Sequence, residues 1–128
     1  MVYVTDTHSF VWYLTFNDKL SNKALKAFDS SMDSGIIVIP SIVLAEILYI
    51  NKKGRIAITF DDTINAIINN KNYEICPLDL EILKIANKIE VSLEMHDKLI
   101  AATAILYNAH LISKDSAIRK SDVVKVIW

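Results

Sequence analysis

The chain has 128 residues, 52% of them hydrophobic and 23% charged, with only 2 Gly and 2 Pro. That composition excludes disordered, collagen-like and low-complexity classes and disfavours a turn-rich β-sandwich or barrel. Lys plus Arg number 14 and Asp plus Glu 15, for a net charge of −1. The broad positive field of proteins that coat DNA is therefore absent, and any nucleic acid must bind through local clusters.

In chain order, Val2-Tyr3-Val4-Thr5 reads as a first strand, followed by a helix over Ser9–Phe16. A second helix starts at a Ser21 cap and carries Leu25 and Phe28. Gly35 introduces Ile36-Ile37-Val38-Ile39, an unbroken apolar run of the kind found in a parallel strand covered on both faces. Pro40-Ser41 opens a third helix over Ile42–Asn51, with Gly54 as its left-handed stop. A helix over Asp61–Asn69, a buried strand over Tyr73–Cys76 and a helix from Asp79 to about Val91 follow. His96-Asp97 precede a helix over Leu99–Tyr107 that is apolar nearly all round and so is expected in the core. His110–Ser113 and Val123–Ile127 supply two closing strands.

Strands separated by one or two helices imply right-handed crossovers, hence an α/β three-layer sandwich around a mostly parallel sheet of about five strands. No linker or repeat interrupts residues 1–128, which read as one domain. Asp6 interrupts the N-terminal apolar run, and no basic segment precedes it, so no signal peptide is expected. The most apolar stretch, Ile36 to Ile50, falls short of the ~20 residues of a membrane span. A soluble, cytoplasmic protein is the expectation. The single cysteine, Cys76, reads as a small core hydrophobe, and Phe10, Trp12 and Tyr13 on the first helix read as core, with a patch for a partner segment as the alternative.

Four carboxylates sit where solvated residues are not expected. Asp6 ends the first strand, Glu46 shares a helix face with Ile42, Val43, Tyr49 and Ile50, Asp97 opens the most apolar helix, and Asp115 ends the strand begun by His110. In a parallel sheet such places converge on the carboxyl edge, where ligands bind. Converging carboxylates raise one another's pKa values. A hard divalent cation relieves that repulsion, and an all-oxygen set suits Mg²⁺ or Mn²⁺. Carboxylates with such a metal point to hydrolysis of a phosphate ester by water. Each residue also has a plainer role: Asp6 and Asp97 as helix caps, Asp115 in a turn, and Glu46 paired with Lys52 or Lys98. Lys98 and Lys114 follow two of the four carboxylates and are placed to contact substrate phosphates. Two further clusters, Lys52-Lys53 with Arg55 and Arg119-Lys120, are candidates for the same role, although Lys52 and Lys53 also complement the carboxyl end of the third helix.

Val4-Thr5-Asp6-Thr7-His8 resembles the opening motif of PIN-domain ribonucleases. Pro40 to Ile47, around Glu46, resembles their second motif, His96 to Ala104, around Asp97, the third, and Leu111-Ile112-Ser113-Lys114-Asp115 the fourth. Motif order, length and the trailing Val126-Ile127-Trp128 are similar to VapC-type toxins of prokaryotic toxin–antitoxin pairs. The resemblance implies a Mg²⁺- or Mn²⁺-dependent endoribonuclease in which Asp6, Glu46 and Asp97 hold the metal, Asp115 assists and Ser113 lends a hydroxyl. It also implies an RNA substrate, a homodimer and an antitoxin partner. His8 stands where the wider family often has a small polar residue, although a subgroup shares Asp-Thr-His, and it is a candidate for touching substrate. The competing readings are weaker. All-helical HD-type phosphohydrolases conflict with the strands, and a receiver domain needs an acidic pair after strand one. A PIN-like module that binds RNA or protein without cutting is expected to lose one of the acidic residues, and Asp6, Glu46 and Asp97 are all present.

Overall fold

A computed structural model describes residues 1–128. The elements are β1 (Val2–Thr5), α1 (Thr7–Leu14), α2 (Asn22–Ser34), β2 (Ile36–Pro40), α3 (Ser41–Lys52), α4 (Phe60–Ile68), β3 (Tyr73–Cys76), α5 (Leu80–Lys88), α6 (Met95–Leu106), β4 (His110–Ile112), α7 (Ser116–Ser121) and β5 (Val126–Ile127). Local chemistry accounts for most helix starts. Ser21 Oγ accepts the Ala24 N–H at 3.1 Å, Asp79 Oδ1 the Ile82 N–H at 3.1 Å and Thr59 Oγ1 the Asp62 N–H at 3.0 Å, each satisfying a first-turn donor. Helix α2 then buries Ala24, Ala27, Phe28 and Ser31, one stripe at helical spacing. The Phe28 ring stacks on Tyr13 at 4.4 Å, tying α2 to α1.

All five strands run parallel in the order β3-β2-β1-β4-β5. Helix α2 packs on β1, β2 and β5, while α6 packs on β1 and β4 with α3 and α5 against it. The sheet is thus the middle of three layers, as expected, and its centre is fully buried at Val4, Ile37, Val38, Ile39, Leu111 and Ile112. Chain order reverses at β1: later strands add outward through β2 on one side and through β4 on the other. The crevice of such a sheet opens at the carboxyl ends of the two strands where this happens. Here those ends lead into Asp6 and Ser113. No helix is long and apolar enough to cross a membrane.

Five local expectations change. Helix α6 begins before Asp97, so His96 and Asp97 lie in its first turn and Glu94 takes the cap position without a side-chain bond. Asp97 is therefore not a cap. Residues 116–121 form α7, a helix too short to leave a periodic signal, and β5 is confined to Val126–Ile127. Strand β3 is at the sheet edge with Glu74 and Ile75 exposed, although Cys76 is buried as expected and burial pushes its thiol pKa up. Helix α5 stops at Lys88, short of Val91. Gly54 does adopt the left-handed backbone, at φ 67°, one residue past the α3 cap.

Candidate active site

At the carboxyl edge, Asp6, Glu46, Asp97 and Asp115 line one cleft of about 590 Å³ together with Thr7, His8, Trp12, Glu94, His96, Ile100 and Lys114. The structure brings together all four carboxylates singled out in the sequence, although they come from four separate segments.

Each is held by the element that delivers it. Asp6 leaves β1 and caps α1, its Oδ1 accepting the Ser9 N–H at 3.0 Å. Asp115 leaves β4 and caps α7, its Oδ1 accepting the Ile118 N–H at 2.9 Å. The capping role and the place in the cleft thus belong to the same residues. Ser113 is buried, and its Oγ accepts the Asp115 N–H at 3.0 Å, which fixes the turn between β4 and α7. Glu46 projects from α3, where Val43 and Ile47 are buried but Tyr49 is exposed, so its face is apolar only in part. Neither Lys52 nor Lys98 pairs with it. The buried Thr7 hydroxyl donates to Glu46 Oε1 at 2.6 Å, and His96 Nδ1 lies 3.8 Å from Oε2 and 3.7 Å from Glu94 Oε1.

The electrostatics are those of crowded negative charge. The Asp97 carboxyl is pushed up to about 6, first by burial and then by Asp115, Glu94, Glu46 and Asp6. Burial raises Asp6 as well, against the lowering effect of the Ser113 hydroxyl and the Ser9 N–H. Lys114 is the one lysine or arginine lining the cleft, and it is exposed. Lys98 does not line it. That residue lies in a separate hollow with Leu83, Ala86, Asn87, Met95 and Leu99, between α5 and α6. The Lys52-Lys53-Arg55 and Arg119-Lys120 clusters are exposed and also outside the cleft.

Three participants had no legible signal. Thr7 orients Glu46 across 39 residues of sequence, Glu94 adds to the charge around Asp97, and Trp12 faces the cleft. Trp12 packs against the core, as expected, and also lines the cleft. Phe10 is fully buried, whereas Trp12 and Tyr13 are only half-buried.

The donor set suits a hard cation: carboxylates, hydroxyls and few cations. The side chains are nonetheless splayed. No three of these acidic or imidazole groups converge on one point at coordination distance, and Asp6, Asp115 and Glu46 each give one oxygen to a protein donor.

The PIN domain family matches residues 3–124, and the chain belongs to that family. No curated protein matches it. Among solved structures, a chain of VapBC2 from Rickettsia felis, bound to a DNA fragment from its promoter, has a TM-score of 0.74 at 20% identity over 98% of this chain and 97% of that one. DNA-bound VapBC from Salmonella typhimurium gives 0.69 at 14% identity over 98% and 96%. A toxin–antitoxin complex from Klebsiella pneumoniae gives 0.63 at 18% identity over 91% and 89%. At such identities the likeness is one of fold, and it agrees with the resemblance read from the four motifs.

Proposed function

We propose that residues 1–128 form a single nuclease domain, a Mg²⁺- or Mn²⁺-dependent endoribonuclease that is the toxin of a toxin–antitoxin pair, acting in the cytoplasm as a homodimer. The observation that carries the nuclease reading is the convergence of Asp6, Glu46, Asp97 and Asp115 on one cleft, where Asp97 is raised first by burial and then by the neighbouring carboxylates. Such repulsion is costly in the fold, and a bound cation would offset it. Support for the antitoxin partner comes from membership of the PIN family and from the toxin–antitoxin complexes that share the fold.

In this reading Asp6, Glu46 and Asp97 hold the metal and Asp115 assists. Bound there, Mg²⁺ or Mn²⁺ supplies Lewis acidity to a phosphodiester oxygen and makes a water more acidic. The chain's own residues do the positioning. Thr7 fixes one oxygen of Glu46 and leaves the other toward His96. Ser113 sets the turn that presents Asp115 and tempers the burial of Asp6. Lys114 offers its ammonium to a substrate phosphate from the cleft wall, and exposed His8 is within reach of the same strand.

The test is cleavage of a mixed RNA pool by purified, antitoxin-free protein, with Mg²⁺ or Mn²⁺, with chelator, and as Asp97→Asn. The Asn variant keeps shape and removes the ligand charge. Its loss should exceed the roughly 10- to 100-fold typical of an outer-shell partner. Equal cutting by wild type and variant would sink the assignment. The splayed carboxylates favour one second reading, a PIN-like module that binds without cutting. Tight RNA binding with no cleavage in either metal would select it.

A further inference from the structure

The cleft is acidic at the sheet edge but aromatic along α1. Trp12 sits 5.7 Å from the His8 ring at an interplanar angle of 49° and 5.9 Å from the Trp128 ring at 56°. Both contacts are tilted, so they brace the indole without either ring lying parallel on it. Lys114 Nζ is 5.8 Å and Lys19 Nζ 6.0 Å from the Trp12 ring, at the outer limit of cation–π attraction. Both lysines are exposed and free of carboxylate partners. Asp6 caps α1 and Trp12 follows six residues later, a rise of roughly 9 Å along the helix.

Resting on the nuclease reading of this cleft, we propose that Trp12 is a stacking platform for a nucleobase beside the phosphate held at the carboxylates, with Lys114 and Lys19 taking flanking phosphates of single-stranded RNA. The chemistry is specific to such a ligand. Trp12 is partly buried and lines the cleft, and every base has a π-face that can stack on an indole. Bases in a duplex already stack on one another, so the available ligand is an unpaired strand. The two lysines beside the ring attract a phosphate-bearing nucleotide, and a partner's cationic side chain drawn instead to the carboxylates is an outcome the test separates. Trp12 is then a positioning residue for substrate.

The test uses the full chain as Asp97→Asn, with a labelled single-stranded oligoribonucleotide of about a dozen residues and an abasic ribose-phosphate oligomer of equal length. Anisotropy should show Trp12→Leu weakening the base-bearing oligomer roughly ten- to hundredfold, Trp12→Phe weakening it far less, and neither change affecting the abasic one. With Trp128→Phe as background, the base-bearing oligomer should quench Trp12 emission and the abasic one should not. That arm stands even where Trp12→Leu fails to fold. The idea is overturned by equal binding of the two oligomers, by no measurable binding of either, or by a Trp12→Leu loss of the same size on both. A loss confined to binding of a protein partner, with RNA affinity intact, would also overturn it. These readings need no cleavage. A protein that passes them but shows no chelator-sensitive cutting sinks the nuclease reading and leaves the platform standing.

Discussion

The two ends of the sheet are built from different chemistry. At the amino end, neutral groups close the backbone: Asn72 Nδ2 donates to the Gly35 carbonyl at 2.7 Å, Asn70 Oδ1 accepts the Asn72 N–H at 2.8 Å and Met1 O accepts the Ile36 N–H at 3.0 Å. At the carboxyl end the same kind of work is given to Asp6 and Asp115, which cap helices while repelling Asp97. An asparagine or serine caps as well as an aspartate, and the amino end shows that the chain closes strand termini without charge. The acidic end therefore costs stability that the neutral end does not, and the excess marks the end selected for something besides folding.

Substitutions at each end should separate the two. The largest effect on stability is expected at the neutral end. A Cβ at Gly35 would lie 2.6 Å from the Met1 carbonyl oxygen and 3.2 Å from the Ser31 Cα, both backbone atoms. Gly35→Ala should cost about 1–3 kcal/mol in denaturant unfolding while folded protein keeps wild-type activity. A variant as stable as wild type would mean that β1 and α2 yield there.

A smaller effect, of opposite sign, is expected at the acidic end. The fold holds the Asp97 carboxyl at about 6 against an ordinary 3.8, so between those values the native state binds more protons than the unfolded chain. The stabilisation from that proton is complete below about pH 4 and is lost as pH rises through about 6. With chelator present, Asp97→Asn should gain on wild type in thermal melts at pH 7.5 and lose that gain near pH 4. The half-exposed carboxyl is screened, which limits the difference to less than about 1 kcal/mol. A gap that does not change with pH would refute the coupling.

The least effect on stability is expected from Asp115→Asn. The amide still caps α7, so unfolding should change by only a few tenths of a kcal/mol. Removing the first-ranking of the charges around Asp97 should bring its pKa down from about 6, visible by carboxyl NMR titration. An unmoved titration would show that Asp115 does not couple to Asp97, leaving burial and the other carboxylates to set it.

What the sequence made legible follows from range. The strand Ile36–Ile39 and the cap at Ser21 were readable because their causes lie within a few residues. Asp6, Glu46, Asp97 and Asp115 could be picked out because a carboxylate next to an apolar run is locally out of place. Their meeting in one cleft followed only from the rule about parallel sheets. Thr7 on Glu46, Trp128 beside Trp12 and the turning of Lys98 toward α5 depend on packing between distant segments, which no local pattern encodes. Helix α7 was missed because six residues with one buried side chain, Ile118, give no period, though Asp115-Ser116 was a cap signal in plain view.

The sheet order also sets a schedule for synthesis. β1 is the central strand, made first, and it pairs with β4 through Tyr3↔His110, Val4↔Leu111 and Thr5↔Ile112. Until that late segment has left the ribosome, one side of β1 has no partner, and Asp6 lacks the β4 end that brings Ser113 and Asp115 beside it. Before β4 pairs, the nascent chain is without a complete cleft and carries an open strand edge, the feature most prone to wrong pairing. The cleft cannot be complete before β4 joins β1, so any activity it has waits on that long-range pairing.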